Sequence, residues 1–251
     1  MTQPEACPTS VPPGDLLRRA SLFLDFDGTL VEIAPEPDAV QVGPRVAEIT
    51  RRLAERLEGR LAIISGRPAA QIQDLLGADV LVVGSHGIEF LGRKGANAPL
   101  RRPAALDQVL EAMGELARRH AGVLVEDKPF GAALHYRQRP AAEPECVRLA
   151  TELASRHALH LQPGKMMIEV RAAGGDKGTA IRTLMQEPNM AGTRPVFMGD
   201  DLTDEPGFAA AAELGGAGIL IGEPRETSAR YRLDGVAATL AWLEAAAAKP
   251  A

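Results

Sequence analysis

The sequence predicts an α/β protein in which a parallel sheet is interrupted by a smaller inserted α+β unit. Two observations carry this. Apolar runs ending in polar turns alternate with helical spacings from Leu22 to Val83, and again from Lys177 to Ile221. Strand–helix repetition of that kind calls for parallel strands joined by right-handed crossovers. Between the two stretches the order becomes helix, strand, strand, helix, strand, strand, which fits a separate unit rather than a continuation of the sheet. Residues 16–92 and 174–251 are expected to form the sheet domain and residues 93–173 the insert.

Each element has its own signal. Residues 1–15 hold Pro4, Pro8, Pro12 and Pro13 without periodicity and are expected to be a disordered lead-in. Leu22-Phe23-Leu24 reads as a buried strand opening into the turn Asp25-Phe26-Asp27-Gly28-Thr29. Val46, Ile49, Leu53 and Leu57 follow helical spacing, with Pro44 suited to the helix start and Gly59 to its end. Leu61–Ile64 is a second strand, stopped by Ser65-Gly66-Arg67-Pro68; a helix through Ile72, Leu75 and Leu76 and a strand at Val80–Val83 follow. The polar stretch Gly92–Pro103 reads as a linker. The insert has a helix marked by Leu106, Val109, Leu110, Met113 and Leu116, strands at Val123–Val125 and Ala132–Tyr136, and a helix carrying Cys146, Ala150 and Leu153. Strands at His160–Gln162 and Met166–Val170 flank Pro163-Gly164-Lys165, which is expected to be their hairpin turn. The sheet resumes with a helix from Lys177 to Met185, a strand at Pro195–Met198 ending in Gly199-Asp200-Asp201, a strand at Gly218–Ile221 and a closing helix, Val236–Ala248.

The composition narrows the function. The 251 residues are 45% hydrophobic and 24% charged, and the formal net charge of −5 argues against a nucleic-acid binder. Cys7 and Cys146 are the two cysteines, so neither a disulfide framework nor a CxxC metal site can form, and a cytoplasmic setting is expected. No apolar run approaches transmembrane length, and no membrane partner is expected. Oligomeric state is not legible; a monomer is compatible with everything above.

Polar residues gather at the strand ends, where open α/β sheets bind their ligands. Strand alternation would set Asp25 and Asp27 on one side of the sheet rim. Two carboxylates there repel unless a proton or a cation intervenes, and a hard ion such as Mg²⁺ meets that demand. Asp-Gly is also an ordinary turn, Ser65-Gly66 likewise, and Asp204 has the character of a helix N-cap. Lys177 stands at a helix start, which prefers negative charge. That cost is explained if the lysine faces the acids or a phosphate, and a solvated lysine is the alternative. Together these groups supply what phosphoryl transfer needs: a nucleophile, a metal site and positive charge for the equatorial oxygens.

Asp25-Phe26-Asp27-Gly28-Thr29, Ser65, Lys177 and Gly199-Asp200-Asp201 resemble, in order, the four motifs of the haloacid-dehalogenase-like phosphohydrolases. Ser65-Gly66-Arg67, Gly84-Ser85-His86-Gly87, His135-Tyr136-Arg137, Gly164-Lys165 to Glu169-Val170-Arg171 and Gly199 to Glu205 narrow the resemblance to the trehalose-6-phosphate phosphatases, from about Leu22 to Ile221. The resemblance implies a doubly wound, Rossmann-like core with an α+β cap that confers substrate specificity. It implies that Asp25 attacks phosphorus to form an aspartyl-phosphate and that Asp27 serves as acid and then base. Mg²⁺ would lie on the Asp25 side chain, the Asp27 carbonyl and the Asp200 side chain, with Asp201 or Asp204 orienting its waters. Ser65 and Lys177 would hold the phosphoryl oxygens. Arg67, Glu126, Lys128, Arg137, Lys165 and Glu169 are the implied contacts of a small sugar-phosphate substrate; the alternative for the cap residues is a solvated surface. Three functions follow: hydrolysis of trehalose 6-phosphate, hydrolysis of another sugar phosphate such as those of sucrose or mannosylglycerate, or a phosphosugar sensor without turnover. Intact Asp25 and Asp27 speak against the sensor.

Overall fold

The computed structural model describes residues 10–33, 40, 42–77, 80–92 and 102–248. At the centre of a seven-stranded sheet lies β1 (Ala20–Leu24), every residue of which is buried. A strand apolar at successive positions needs cover on both faces, and it receives it. Leu22 and Leu24 point to one face with Ile63, and Phe23 points to the other with Ala62 and Ile64.

On one side of β1 lie β2 (Leu61–Ile64) and β3 (Leu81–Gly84), both parallel, then β4 (Glu89–Leu91), antiparallel. On the other side, all parallel, lie β9 (Arg194–Gly199), β10 (Ala217–Ile221) and β11 (Tyr231–Leu233). Helices α1 (Pro44–Arg56), α2 (Ala69–Leu76) and α7 (Val236–Ala247) cover the first face through Val46, Ile49, Leu53, Ile72 and Leu243. On the second face, α5 (Lys177–Leu184) and α6 (Glu205–Glu213) bury Ile181, Leu184 and Phe208. The predicted doubly wound parallel sheet is therefore observed, with β4, β11 and α6 as elements that periodicity did not reveal. Strands of three residues carry too little alternation to register, and α6 is rich in alanine rather than in spaced large apolar residues.

The chain divides into two compact units, with boundaries at 97/98 and 174/175. The second unit holds α3 (Ala105–Arg119), β5 (Leu124–Lys128), β6 (Gly131–His135), α4 (Glu143–His157), β7 (His160–Gly164) and β8 (Met167–Arg171). Its sheet is antiparallel in the order β5-β6-β8-β7. Val109, Met113, Leu116, Cys146 and Leu153 pack onto Leu134, Ile168 and Val170, leaving the opposite sheet face polar.

Two expectations are corrected. Pro163-Gly164 belongs to β7, and the turn is Lys165-Met166, with Met166 at φ +63°. Proline is tolerated there because β7 is an edge strand. The lead-in is ordered where it is described: the Ser10 carbonyl accepts from Arg232 N–H and the Pro12 carbonyl accepts from the Trp242 indole. Residues 1–9, and the linker expected at Gly92–Pro103 over positions 93–101, lie outside the described residues. Among the described residues no helix is long and apolar enough to cross a membrane.

Candidate active site

The chain leaves β1 at Leu24, so Asp25 and Asp27 stand in the loop beyond the strand and alternation does not govern them. Their carboxylates meet different partners. Asp25 is buried, its N–H donating to the Met198 carbonyl of β9 at 2.9 Å. The Lys177 ammonium donates to Asp25 Oδ1 at 2.6 Å and to Asp204 Oδ1 at 2.5 Å. Lys177 and Asp204 are themselves buried. The lysine at the first position of α5 is therefore an ion-pair partner of the acids, and the solvated alternative is excluded. The acceptor that α5 needs at its N-terminus comes from Asp176, whose side chain accepts from Thr179 N–H at 2.6 Å.

Asp204 serves two structures. Its Oδ1 binds Lys177 and its Oδ2 accepts from Asp201 N–H at 2.9 Å, closing a capping box before α6. The N-cap expected at Asp204 is instead Asp201, and Asp204 is the third residue of its capping box. Asp200 stands next to this cluster, and carboxylate oxygens of Asp25, Asp200 and Asp204 lie within 4.8 Å of one another. Gly28 permits this approach: at φ +82°, a Cβ on it would lie 2.2 Å from Asp200 Oδ2.

Burial pushes the Asp25 carboxyl well above its usual range; Lys177 opposes that, while the negative charges of Asp204 and Asp200 reinforce it. Burial also disfavours the Lys177 ammonium, but Asp204 and Asp25 outweigh it and raise its pKa. One ammonium cannot neutralise three close carboxylates. Carboxylate oxygens of Asp25, Asp200 and Asp204 together offer an all-oxygen donor set that fits a hard divalent cation.

Ser65 is at the end of β2, buried, its N–H donating to the Val83 carbonyl and its Oγ accepting from Arg67 N–H at 3.1 Å. The turn after β3 braces this loop. Ser85 N–H donates to the Arg67 carbonyl and His86 N–H to the Ser65 carbonyl, each at 2.9 Å. Ser85 and His86 both hold left-handed backbone, φ +48° and +55°, a conformation costly for residues with a Cβ. The His86 ring fills the space where a Gly66 side chain would lie. Glu89 accepts from Ser85 Oγ and from Ala69 N–H at the start of α2, so these two residues serve the turn. Asp27, one-third exposed, is held by Arg67, whose Nε and Nη2 donate to its two oxygens at 2.7 and 2.8 Å.

The remaining predicted residues belong to the second unit, where Glu126, Lys128 and Glu169 form a cluster on the polar face of its sheet. Lys128 Nζ donates to Glu169 Oε2 at 2.7 Å, both groups being buried. Glu126 Oε2 is 2.7 Å from His135 Nε2 and 3.8 Å from Lys128 Nζ. Burial raises the Glu126 carboxyl, but His135 and Lys128 overcome this and set it below its usual value. Arg137 donates to the Lys165 carbonyl at 3.1 Å, away from that cluster. His135 was not foreseen as a member, since its meeting with Glu126 needs the β5–β6 register, Leu124 facing His135. A diagonal cross-strand neighbour of that kind is invisible without the pairing.

The trehalose-phosphatase family model matches residues 23–237, through both units. The chain belongs to the trehalose-phosphatase family. It is 36% identical over 233 residues to the trehalose-6-phosphate phosphatase of Escherichia coli (strain K12), covering 92% of this chain and 87% of that relative. Among solved structures, the C-terminal domain of Candida albicans trehalose-6-phosphate phosphatase superposes with a TM-score of 0.83 at 22% identity, over 97% of this chain and 99% of that one. A haloacid-dehalogenase-like hydrolase from Bacteroides thetaiotaomicron gives 0.61 at 18% identity, over 89% and 97%. Both speak to fold, and the trehalose-phosphatase chain described here has the haloacid-dehalogenase-like fold with an inserted cap.

Proposed function

We propose that this chain hydrolyses trehalose 6-phosphate to trehalose and inorganic phosphate. The observation that carries the reading is the buried Asp25 carboxylate, paired with Lys177 at 2.6 Å and crowded by Asp200 and Asp204, within a match to the trehalose-phosphatase family. Asp25 is the nucleophile: an oxygen of its carboxylate forms a bond to phosphorus as the bond to the sugar oxygen breaks, giving an aspartyl-phosphate. Lys177 opposes the burial that favours the protonated form of Asp25 and, with Ser65, offers donors to the phosphoryl oxygens. Asp27 gives a proton to the departing sugar oxygen and later takes one from the water that releases phosphate. Asp25 and Asp200 side chains, with the Asp27 carbonyl, would hold Mg²⁺, and Asp204 fixes Lys177 and the Asp201 backbone. The ion would supply positive charge against the phosphate dianion and the acid cluster.

In the cap, Glu126, Lys128 and Glu169 offer acceptors and a donor suited to sugar hydroxyls, with Arg137 and Lys165 as further candidates. A cytoplasmic setting suits the two cysteines, one of them the buried free Cys146. The test is phosphate release from a panel: trehalose 6-phosphate, sucrose 6-phosphate, mannosyl-3-phosphoglycerate and glucose 6-phosphate, with Asp25→Asn as control. Preference for trehalose 6-phosphate, with less than about one per cent of turnover left in Asp25→Asn, is expected. Equal rates across the panel, or an active Asp25→Asn, overturn the reading.

A further inference from the structure

We propose that Arg67 is the positioning residue of the acid: it acts on catalysis by holding Asp27, not by contacting the sugar phosphate. The proposal rests on the function given above. Asp27 belongs to the turn beyond β1 and its side chain is 33% exposed, so a carboxylate there has solvent to wander into. A general acid that wanders is a poor one, because displacement by about 1 Å can cost a hundredfold in rate.

The Arg67 fork takes both Asp27 oxygens, at 2.7 and 2.8 Å, a bidentate geometry that fixes the plane of the carboxylate as well as its place. The arginine is anchored in turn. Its side chain is 10% exposed and its guanidinium lies 5.9 Å from the centre of the Phe26 ring. Its N–H donates to Ser65 Oγ and its carbonyl accepts from Ser85 N–H. The strained turn at Ser85 and His86 therefore has a reason within this scheme, since it braces the arginine that braces the acid. Because two N–H groups make the fork, Asp27 can turn one oxygen toward the leaving group and keep the other bonded. A lysine in place of the arginine has no such fork.

The test is a double-mutant cycle on kcat/KM with two substrates. Trehalose 6-phosphate has a poor alkoxide leaving group that needs a proton, whereas p-nitrophenyl phosphate does not. Arg67→Ala is expected to lower kcat/KM for trehalose 6-phosphate about tenfold or more beyond its effect on p-nitrophenyl phosphate. In the Asp27→Asn background the same substitution should cost less than about threefold, because the group it positions has gone. Arg67→Lys should fall near Arg67→Ala. An equal loss with and without the acid, or an equal loss on both substrates, would overturn the proposal and make Arg67 a substrate contact. Failure of the wild type to release phosphate from trehalose 6-phosphate would instead overturn the function, and the cycle would then run on whichever panel sugar phosphate is cleaved. If Arg67→Ala does not fold by circular dichroism, Arg67→Lys and Arg67→Gln carry the same comparison with the same two outcomes.

Discussion

Gly28→Ala separates backbone strain from damage to the acid cluster. Two costs arise at this position. Gly28 holds φ +82°, where an L side chain is disfavoured by about 1–2 kcal/mol. In addition, the new Cβ would lie 2.2 Å from Asp200 Oδ2 and 2.4 Å from its Cγ, closer than such contacts ever come. Asp200 must therefore retreat by about 1 Å to reach ordinary van der Waals separation. That carboxylate is one of the three that gather within 4.8 Å as a donor set for a cation, and a shift of that size costs about a hundredfold in rate. Gly77→Ala is the matched control. Gly77 closes α2 at φ +57° with nothing within 4 Å of its would-be Cβ, so it carries the strain without the clash. Both variants should lose about 2–8 °C in Tm, as about 1–2 kcal/mol does in a domain of this size. Only Gly28→Ala should lose kcat/KM about a hundredfold and need far more Mg²⁺ for half-maximal activity. Phosphate release, Mg²⁺ titration and thermal melts on both proteins decide it. If Gly28→Ala matches Gly77→Ala in activity and in Mg²⁺ demand, the placement of Asp200 in the site is wrong.

Lys177→Met should abolish turnover and destabilise the fold by about 3–5 kcal/mol, since it strands the Asp25 and Asp204 carboxylates in the interior. Adding Asp204→Asn should restore part of the Tm and none of the activity, and a restored activity would remove Lys177 from the reaction. The stabilisation by Mg²⁺ should grow with pH. Asp25 binds its proton more tightly in the folded chain, so its contribution to stability is largest below the ordinary carboxylate value and is lost as pH rises above it. A cation relieves that loss, so the Tm difference between Mg²⁺ and chelator should widen from about pH 5 to about pH 8 and be absent in Asp25→Asn; a difference independent of pH would contradict it. Lys128→Met should remove the 2.7 Å ion pair of the buried Glu169 carboxylate, at a cost of about 3–5 kcal/mol. Pairing it with Glu169→Leu should recover much of the Tm while trehalose 6-phosphate turnover stays low and p-nitrophenyl phosphate turnover does not. Equal loss on both substrates in that folded double variant would remove the pair from sugar recognition.

The parts legible in the sequence were those whose signal is contiguous. Leu22 to Thr29 announces a buried strand, its end and its acids in eight residues. Lys177 was legible through its cost, a positive charge at a helix start that needs a reason. Its pairing with Asp204 was not, because that aspartate also read as an N-cap, whereas it is the third residue of the Asp201 capping box and gives its other oxygen to Lys177. Arg67 was read as a sugar contact from its segment; its hold on Asp27 depends on where two loops emerge. Pro163-Gly164 misled because turn chemistry and edge-strand tolerance look alike in one dimension.

The strand order explains why those two loops meet. β1 pairs with β2 on one side and β9 on the other, Leu24 standing opposite Ile63 and Met198. The residues just past the three strand ends, 25–27, 65–67 and 200–201, therefore emerge side by side although the chain visits them far apart. The winding reverses at this point. From β1 the chain steps outward through α1 and α2 on one face, and it returns to β9 and steps outward the other way through α6 on the opposite face. Right-handed crossovers that run in opposite directions must use opposite faces. The gap between β1 and β9 is thus the one place in the sheet from which no crossover departs to a neighbouring strand, and loops there are free to point at a ligand. Asp25 and Asp200 flank that gap, and Lys177, from the helix that leads into β9, closes it. The whole second unit is inserted between β4 and α5, in the same long connection that carries the chain across the reversal. A helix before β9 is already required to cover the second face, so an insertion at this point lengthens an existing crossover without altering any strand pairing.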